Sequence, residues 1–197
     1  MAEFWDSRYA TTEYIYGKTP NDFIKEKLSS LTPGKALFAA EGEGRNAVFA
    51  AGLGFEVFAF DASEVAKTKA LDFAASLGLK INYKTAKYQE VVYPENQFDI
   101  LVLVFAHMPA QYRSEWHRKL IRYLKPGGKL ILEGFAKNQI EFNSGGPKEL
   151  SMLFSKAELQ GDFAALSDLE IEEKTRVLNE GSHHKGMASV IQLYGTK

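Results

Sequence analysis

The chain has 197 residues, enough for one domain that buries about 70% of its unfolded surface, and 45% of them are hydrophobic. Lys and Arg number 24 against 25 Asp and Glu, so the net charge of −1 excludes a polycation of the kind that coats nucleic acid. The absence of cysteine excludes disulfide frameworks, zinc–thiolate sites, thiol nucleophiles and iron–sulfur ligation.

From Met1 to Asp6 no basic segment leads into an apolar run, so no secretory leader is expected. The longest apolar stretch, residues 100–108, is broken by His107 and falls far short of the ~20 residues that span a bilayer. A cytoplasmic protein with no membrane or nucleic-acid partner is expected, as a monomer or homodimer.

No repeat or linker divides residues 1–197, so a single domain is expected, with residues 1–30 as a cap segment. Residues 35–40 are short and apolar, bounded by Pro33-Gly34 and Gly42, and predict a strand buried on both faces. Residues 45–53 predict a helix and residues 55–60 a second strand, which ends at Asp61. Ser63 caps a helix that runs to Leu77 and stops at Gly78. Residues 79–84 form a weaker third strand, and residues 98–105 a central fourth. A helix over 110–124 closes at Pro126-Gly127-Gly128, and residues 129–135 form the fifth strand.

After a loop through Gly145-Gly146-Pro147 comes a helix at 155–165. Two strands follow, at 168–178 and 187–195, with Asn179-Glu180-Gly181 between them. The fold expected is α/β: a doubly wound, Rossmann-like, seven-stranded sheet, mostly parallel, with a C-terminal antiparallel hairpin. Ligands of such sheets bind beyond the carboxyl ends of the strands, at the switch point. That places residues 41–46, 61–63, 85–88 and 105–109 around one crevice.

The first strand runs into Glu41-Gly42-Glu43-Gly44-Arg45-Asn46. Two glycines at i, i+2 allow a sharp turn and a close approach of backbone to ligand, and the next helix presents free N–H groups there. Asp61 follows Gly44 by seventeen residues, where a carboxylate can accept hydrogen bonds from both hydroxyls of a ribose. Two cofactors fit these features, NAD(P) and S-adenosylmethionine (SAM). A dehydrogenase usually needs a separate substrate domain, for which the chain has no room.

Leu124-Lys125-Pro126-Gly127-Gly128-Lys129-Leu130, before the fifth strand, resembles the segment found there in class I SAM-dependent methyltransferases. The glycine loop, Asp61 and Phe98-Asp99-Ile100 fall in that family's places. Trp5-Asp6-x-Arg8-Tyr9, Tyr16-Gly17-x-x-Pro20-Asn21 and Gly145-Gly146-Pro147 are similar to a narrower branch, the tellurite-resistance and, more distantly, thiopurine methyltransferases. The resemblance covers most of the chain. It implies SAM as cofactor, with S-adenosylhomocysteine as product. The contacts it implies are Glu41, Gly42, Gly44, Asn46, Asp61, Ala62, Ser63, Ala86, Lys87, Phe105 and Tyr16.

The chain departs from the pattern at three positions. Phe38 replaces the acidic residue of the family's first motif and Ala40 its first glycine. Glu41 is placed to supply the missing carboxylate near the cofactor's ammonium group. Lys87 stands where the family often has an acid that contacts adenine, and a lysine cannot accept that bond. Adenine is then left to backbone atoms, or cofactor affinity falls.

A methyltransferase must align its acceptor with the activated methyl group and exclude water. A soft sulfur, selenium or tellurium anion needs no base, whereas an amine or hydroxyl does. His107, after the fourth strand, is the candidate base. His183 and His184 fall in the expected hairpin turn; adjacent residues share no strand face, so no metal site is expected. His117 is read as a partly exposed surface residue. The function expected is methyl transfer to a small molecule: a thiol, a metalloid oxyanion or a heteroaromatic compound. The alternatives are a SAM-binding sensor without turnover and an NAD(P)-dependent oxidoreductase.

Overall fold

In the computed structural model, which describes residues 2–197, β1 (Lys35–Ala39) is an interior strand, third of seven in the sheet. Its apolar residues alternate between two cores: Ala36 and Phe38 pack on one face, Leu37 and Ala39 on the other. The strands order β3-β2-β1-β4-β5-β7-β6, with β2 (Glu56–Asp61), β3 (Asn82–Thr85), β4 (Phe98–Val104) and β5 (Leu124–Phe135). These five pair in parallel, while β6 (Ser167–Glu180) and β7 (His184–Thr196) close the sheet antiparallel. The doubly wound sheet and its terminal hairpin are therefore as expected.

Helices α2 (Asp22–Ser29), α3 (Arg45–Gly52) and α4 (Glu64–Ser76) cover one face through Ile24, Leu28, Val48 and Phe73. Helices α5 (Ala110–Arg122) and α6 (Lys156–Asp162) cover the other through Leu120, Ile121 and Leu159. The short α1 (Ala2–Tyr9) lies beside α4. No helix among the described residues is long and apolar enough to cross a membrane.

The strand bounds differ from the sequence reading: β3 starts at Asn82 and not at 79, and two other differences shape the sheet's closing end. β5 begins five residues early, at Leu124, because Gly127 adopts φ +79° and its N–H reaches the Lys197 carbonyl at 2.6 Å. The Pro126-Gly127-Gly128 segment thus bends within the strand instead of ending a helix. The hairpin is longer too: Asn179 and Glu180 belong to β6, and the turn is 181–183. His184 is consequently a buried strand residue and not part of the turn.

His117 is a further correction. It is fully buried, at 0% exposure, and stacks on Phe163. Its Nδ1–H donates to Asp162 Oδ2 at 2.8 Å, beside Arg113 Nε at 2.7 Å. This cluster binds α6 to α5. Burial opposes ionisation of Asp162, but the bonds from His117 and Arg113 outweigh it and hold the carboxyl at about 2.

An acid with a depressed folded pKa stabilises above its unfolded value and loses that contribution as pH falls through the folded one. Protonating Asp162 should therefore remove about 2 kcal/mol between pH 3.8 and about 2. Urea denaturation across that range should show this slope in the parent and a flatter one in Asp162→Asn, which starts from a lower plateau. Equal slopes would remove Asp162 from the acid response.

Candidate active site

The carboxyl ends of β1, β2 and β4 open into a cavity of about 650 Å³, within the usual range for small-ligand sites. β1 leads into the glycine loop, where Gly42 has φ +62° and Gly44 φ +88°. The two glycines have different tasks. Gly42 lines the cavity, and a Cβ there would meet the Tyr9 hydroxyl at 2.7 Å. Gly44 lies outside the lining; a Cβ there would strike Ala70 Cβ at 2.7 Å, so this glycine serves the contact between α3 and α4.

Glu41 Oε1 accepts the N–H groups of Asn46 at 2.9 Å and Ala47 at 2.8 Å. It thereby satisfies the first turn of α3, which begins at Gly44 without a capping side chain. Burial pushes the Glu41 carboxyl up to about 7, against the opposing pull of those N–H groups and Arg45.

Asp61 ends β2 on the cavity wall. Its Oδ2 accepts Gly42 N–H at 3.0 Å and its Oδ1 accepts Ser63 N–H at 2.9 Å. Each carboxylate oxygen keeps further acceptor capacity. Burial raises the Asp61 carboxyl, and the backbone bonds from Ser63 and Gly42 oppose that shift. Ala62, Ala86, Lys87, Phe105 and Tyr16 also line the cavity.

Ser63 does not line it: its hydroxyl caps α4 by accepting Ala66 N–H and donates to Asp6. Asn46 lines the cavity, but its Oδ1 accepts the backbone N–H of Asn21. Its side chain thus serves the N-terminal segment. Lys87 is exposed and pairs with Glu90 at 3.3 Å. Phe38 is buried in the core behind the cavity.

Several lining residues escaped the sequence reading. Tyr88 stacks on Trp116 at 5.1 Å, forming an aromatic wall after β3. Its neighbourhood in Thr85-Ala86-Lys87-Tyr88 was the available signal. Phe135, Met152 and His184 come from β5, a 3-10 turn and β7, far apart in sequence. Tyr16, already a candidate from the sequence, and Trp5, an aromatic of the expected cap segment, line the cavity with Arg8 and Tyr9.

His107 is placed differently from a base at the crevice rim. Its Nδ1–H donates to the Met152 carbonyl at 2.8 Å, and its Nε2 accepts Phe135 N–H at 2.9 Å. The ring also stacks on Phe154 at 4.5 Å. Both nitrogens are committed to backbone, and burial pushes the imidazole down to about 4. His107 holds the end of β4 against β5 and the segment at Met152; no lone pair remains for a substrate proton.

Residues 36–128 match the family of methyltransferase domains. A ubiquinone/menaquinone biosynthesis C-methyltransferase, UbiE of Shewanella sediminis, is 36% identical over 59 residues, covering 30% of this chain and 24% of that protein. The chain thus spans about a quarter of the length of the curated relatives it matches. Among solved structures, TehB from Haemophilus influenzae superposes with a TM-score of 0.74 at 17% identity, covering all of this chain and 66% of that one. A protein whose structure is titled for conversion of a disulfide bond into a thioacetal group during echinomycin biosynthesis gives 0.73 at 20% identity, covering 99% and 90%. These likenesses establish the fold, and residues 36–128 are similar to methyltransferase domains. The methyl donor of such domains is SAM.

The commitment of His107 can be checked by denaturation. His107→Ala leaves the Phe135 N–H and Met152 carbonyl unpaired and should cost about 3 kcal/mol in a urea titration. Its folded pKa lies below the unfolded 6.5, so the parent should also lose stability as pH falls from 6.5 towards 4, and the variant should not. A variant as stable as the parent would return His107 to the list of free bases.

Proposed function

We propose that this chain, with its methyltransferase domain at residues 36–128, transfers a methyl group from SAM to a small molecule. The observation that carries this reading is the Asp61 carboxylate. It sits at the carboxyl end of β2, in the same cavity as the glycine loop, with both oxygens oriented by backbone N–H groups and still able to accept. A ribose diol is the ligand group such a carboxylate suits.

The rest of the lining fits SAM. Glu41 and Asp61 place two carboxyl groups by the glycine loop, where the donor's ammonium and ribose would lie. Tyr88 and Trp116 offer an apolar wall to adenine, with Ala86 and Lys87 beside it; the Ala86 N–H is taken by the Asp61 carbonyl and the Lys87 N–H by Glu90. Tyr16 and Phe105 supply aromatic faces to a sulfonium. Phe105 holds φ +49°, which turns the chain sharply at the end of β4 and keeps its ring on the cavity wall.

SAM brings the activated methyl carbon, and the chain has to bind, align and exclude water. Asp61 fixes the ribose, the glycine loop the amino-acid end, and the N-terminal segment closes the cavity on the acceptor side. The acceptor end is lined by Phe105, Met108, Phe135, Met152 and His184, a size and polarity suited to a thiol, a metalloid oxyanion or a small heteroaromatic compound. We place its work in the cytoplasm, as in the tellurite-resistance branch, on a small molecule and not on nucleic acid.

Calorimetric titration with SAM, S-adenosylhomocysteine and NADH tests the reading. Micromolar binding of the two adenosyl-sulfur compounds and none of NADH is expected. Asp61→Ala should weaken SAM by about 1.5–3 kcal/mol, the worth of hydrogen bonds to a charged partner. Unchanged affinity in that variant would end the assignment of Asp61, and binding of NADH alone would end the proposal.

A further inference from the structure

The acceptor end holds one titratable side chain that nothing above assigns. His184, on β7, is 6% exposed and lines the cavity. Three aromatic rings surround it: Tyr16 at 4.4 Å, Phe105 at 4.6 Å and Phe135 at 5.2 Å. Its Nδ1 faces Glu180 Oε2 at 3.5 Å, an ion-pair distance too long for a full hydrogen bond. Such contacts in a ligand-free site often tighten in the reacting complex. Glu180 is itself fixed, by Arg45 at 2.7 Å and Arg176 at 2.8 Å.

The opposite edge of the ring, Cδ2 and Nε2, lies against the bare backbone of Gly145. A Cβ there would meet Cδ2 at 2.6 Å and Nε2 at 3.3 Å. Gly146 does the same for Phe135, whose ring would meet a Cβ at 2.7 Å. The Gly145-Gly146 pair therefore makes room for the imidazole and for the aromatic ring beside it. A carboxylate faces one nitrogen of this histidine, and its ring lines the cavity: a general base needs both.

Building on the methyltransferase reading, we propose that His184, oriented by Glu180, takes the proton from a protic methyl acceptor, a thiol or an N–H compound. The acceptor's lone pair forms a bond to the methyl carbon. The methyl–sulfur bond breaks with its electron pair moving to sulfur, leaving a neutral thioether. The acceptor's proton passes to His184 Nε2, and Glu180 balances the imidazolium until the proton leaves to solvent.

The charged and titratable groups facing His184 are Glu180 from β6, Arg45 from α3, Tyr16 from the N-terminal segment, neighbouring His183, and His107 from the end of β4. Burial lowers the His184 pKa, with Glu180 opposing and Arg45 assisting.

The test uses His184→Gln with two thiols: 2-mercaptoethanol, largely protonated at pH 7, and 4-nitrothiophenol, largely ionised. Calorimetry with S-adenosylhomocysteine should give the same affinity in parent and variant. Methylation of 2-mercaptoethanol should fall at least 100-fold in the variant, and that of 4-nitrothiophenol less than threefold. Nitrogen-15 NMR of the parent should show His184 neutral at pH 7, with the proton on Nδ1. Equal losses for both thiols, no loss for either, a charged imidazole, or a parent that binds the homocysteine compound but methylates neither thiol would each overturn the role of His184. A parent that does not bind S-adenosylhomocysteine would overturn the methyltransferase reading, and this proposal with it.

Discussion

Two buried carboxylates hold the acceptor side of the molecule together. Glu133 on β5 is fully buried and receives Asn21 Nδ2 at 2.7 Å, Arg176 at 2.6 Å and Gln192. Glu180 on β6 receives Arg45, Arg176 and the same Asn21. Burial would raise Glu180, but His184, Arg45 and Arg176 reverse that and hold it well below the ordinary carboxylate range. Removing one partner of such a buried set leaves an uncompensated charge, at a cost of about 3–5 kcal/mol. The set joins the N-terminal segment, the start of α3, the central sheet and the hairpin. None of these is adjacent in sequence. The geometry of the cavity depends on their meeting at this one junction.

The N-terminal segment is held to the cavity by the same logic. Asn21 caps α2 with its Oδ1, takes Asn46 with its backbone N–H and spends its Nδ2 on the two carboxylates. Ile15 N–H reaches Glu43 Oε2 at 2.9 Å, and Gly181 approaches so closely that a Cβ there would fall 2.3 Å from the Ile15 carbonyl. A glycine in the hairpin turn is thus a condition for the segment to close. The Tyr16-Gly17 and Pro20-Asn21 pattern and the second half of the glycine loop are one structural unit, in which Glu43 and Asn46 face the segment and Glu41, Gly42 and Asp61 face the ligand space.

The fold was legible because apolar period and turn residues are local signals. The strand at 98–105 and the capping Ser63 needed only their neighbours to be recognised. That the glycine loop and Asp61 share one wall of the cavity was legible for a related reason: they lie within one βαβ unit, and the loop's geometry is largely fixed by that unit. The acceptor side was not, since His184, Phe135 and Met152 meet only after the sheet is complete. His117 shows the same limit: a polar residue at a plausible surface place, it turns into a core beside Asp162. Residue type and position leave open where hydrogen bonds go, and those bonds decide what a side chain is free to do.

The departures from the family pattern take on a physical meaning in this light. Ala40 replaces a glycine but keeps the left-handed conformation, φ +52°, that a glycine would adopt without cost. Such a conformation costs an alanine about 1–2 kcal/mol. Phe105, at the end of β4, bears a similar cost at φ +49°. Both residues line the cavity, and the surrounding sheet is stable enough to impose on each the turn that the cavity needs. Phe38, by contrast, is absorbed into the core, and Glu41, three residues on, caps the first turn of α3 and lines the cavity. Glu41 and Asp61 both take their bonds from backbone N–H groups, and a cavity wall held in that way can change individual side chains without losing its shape.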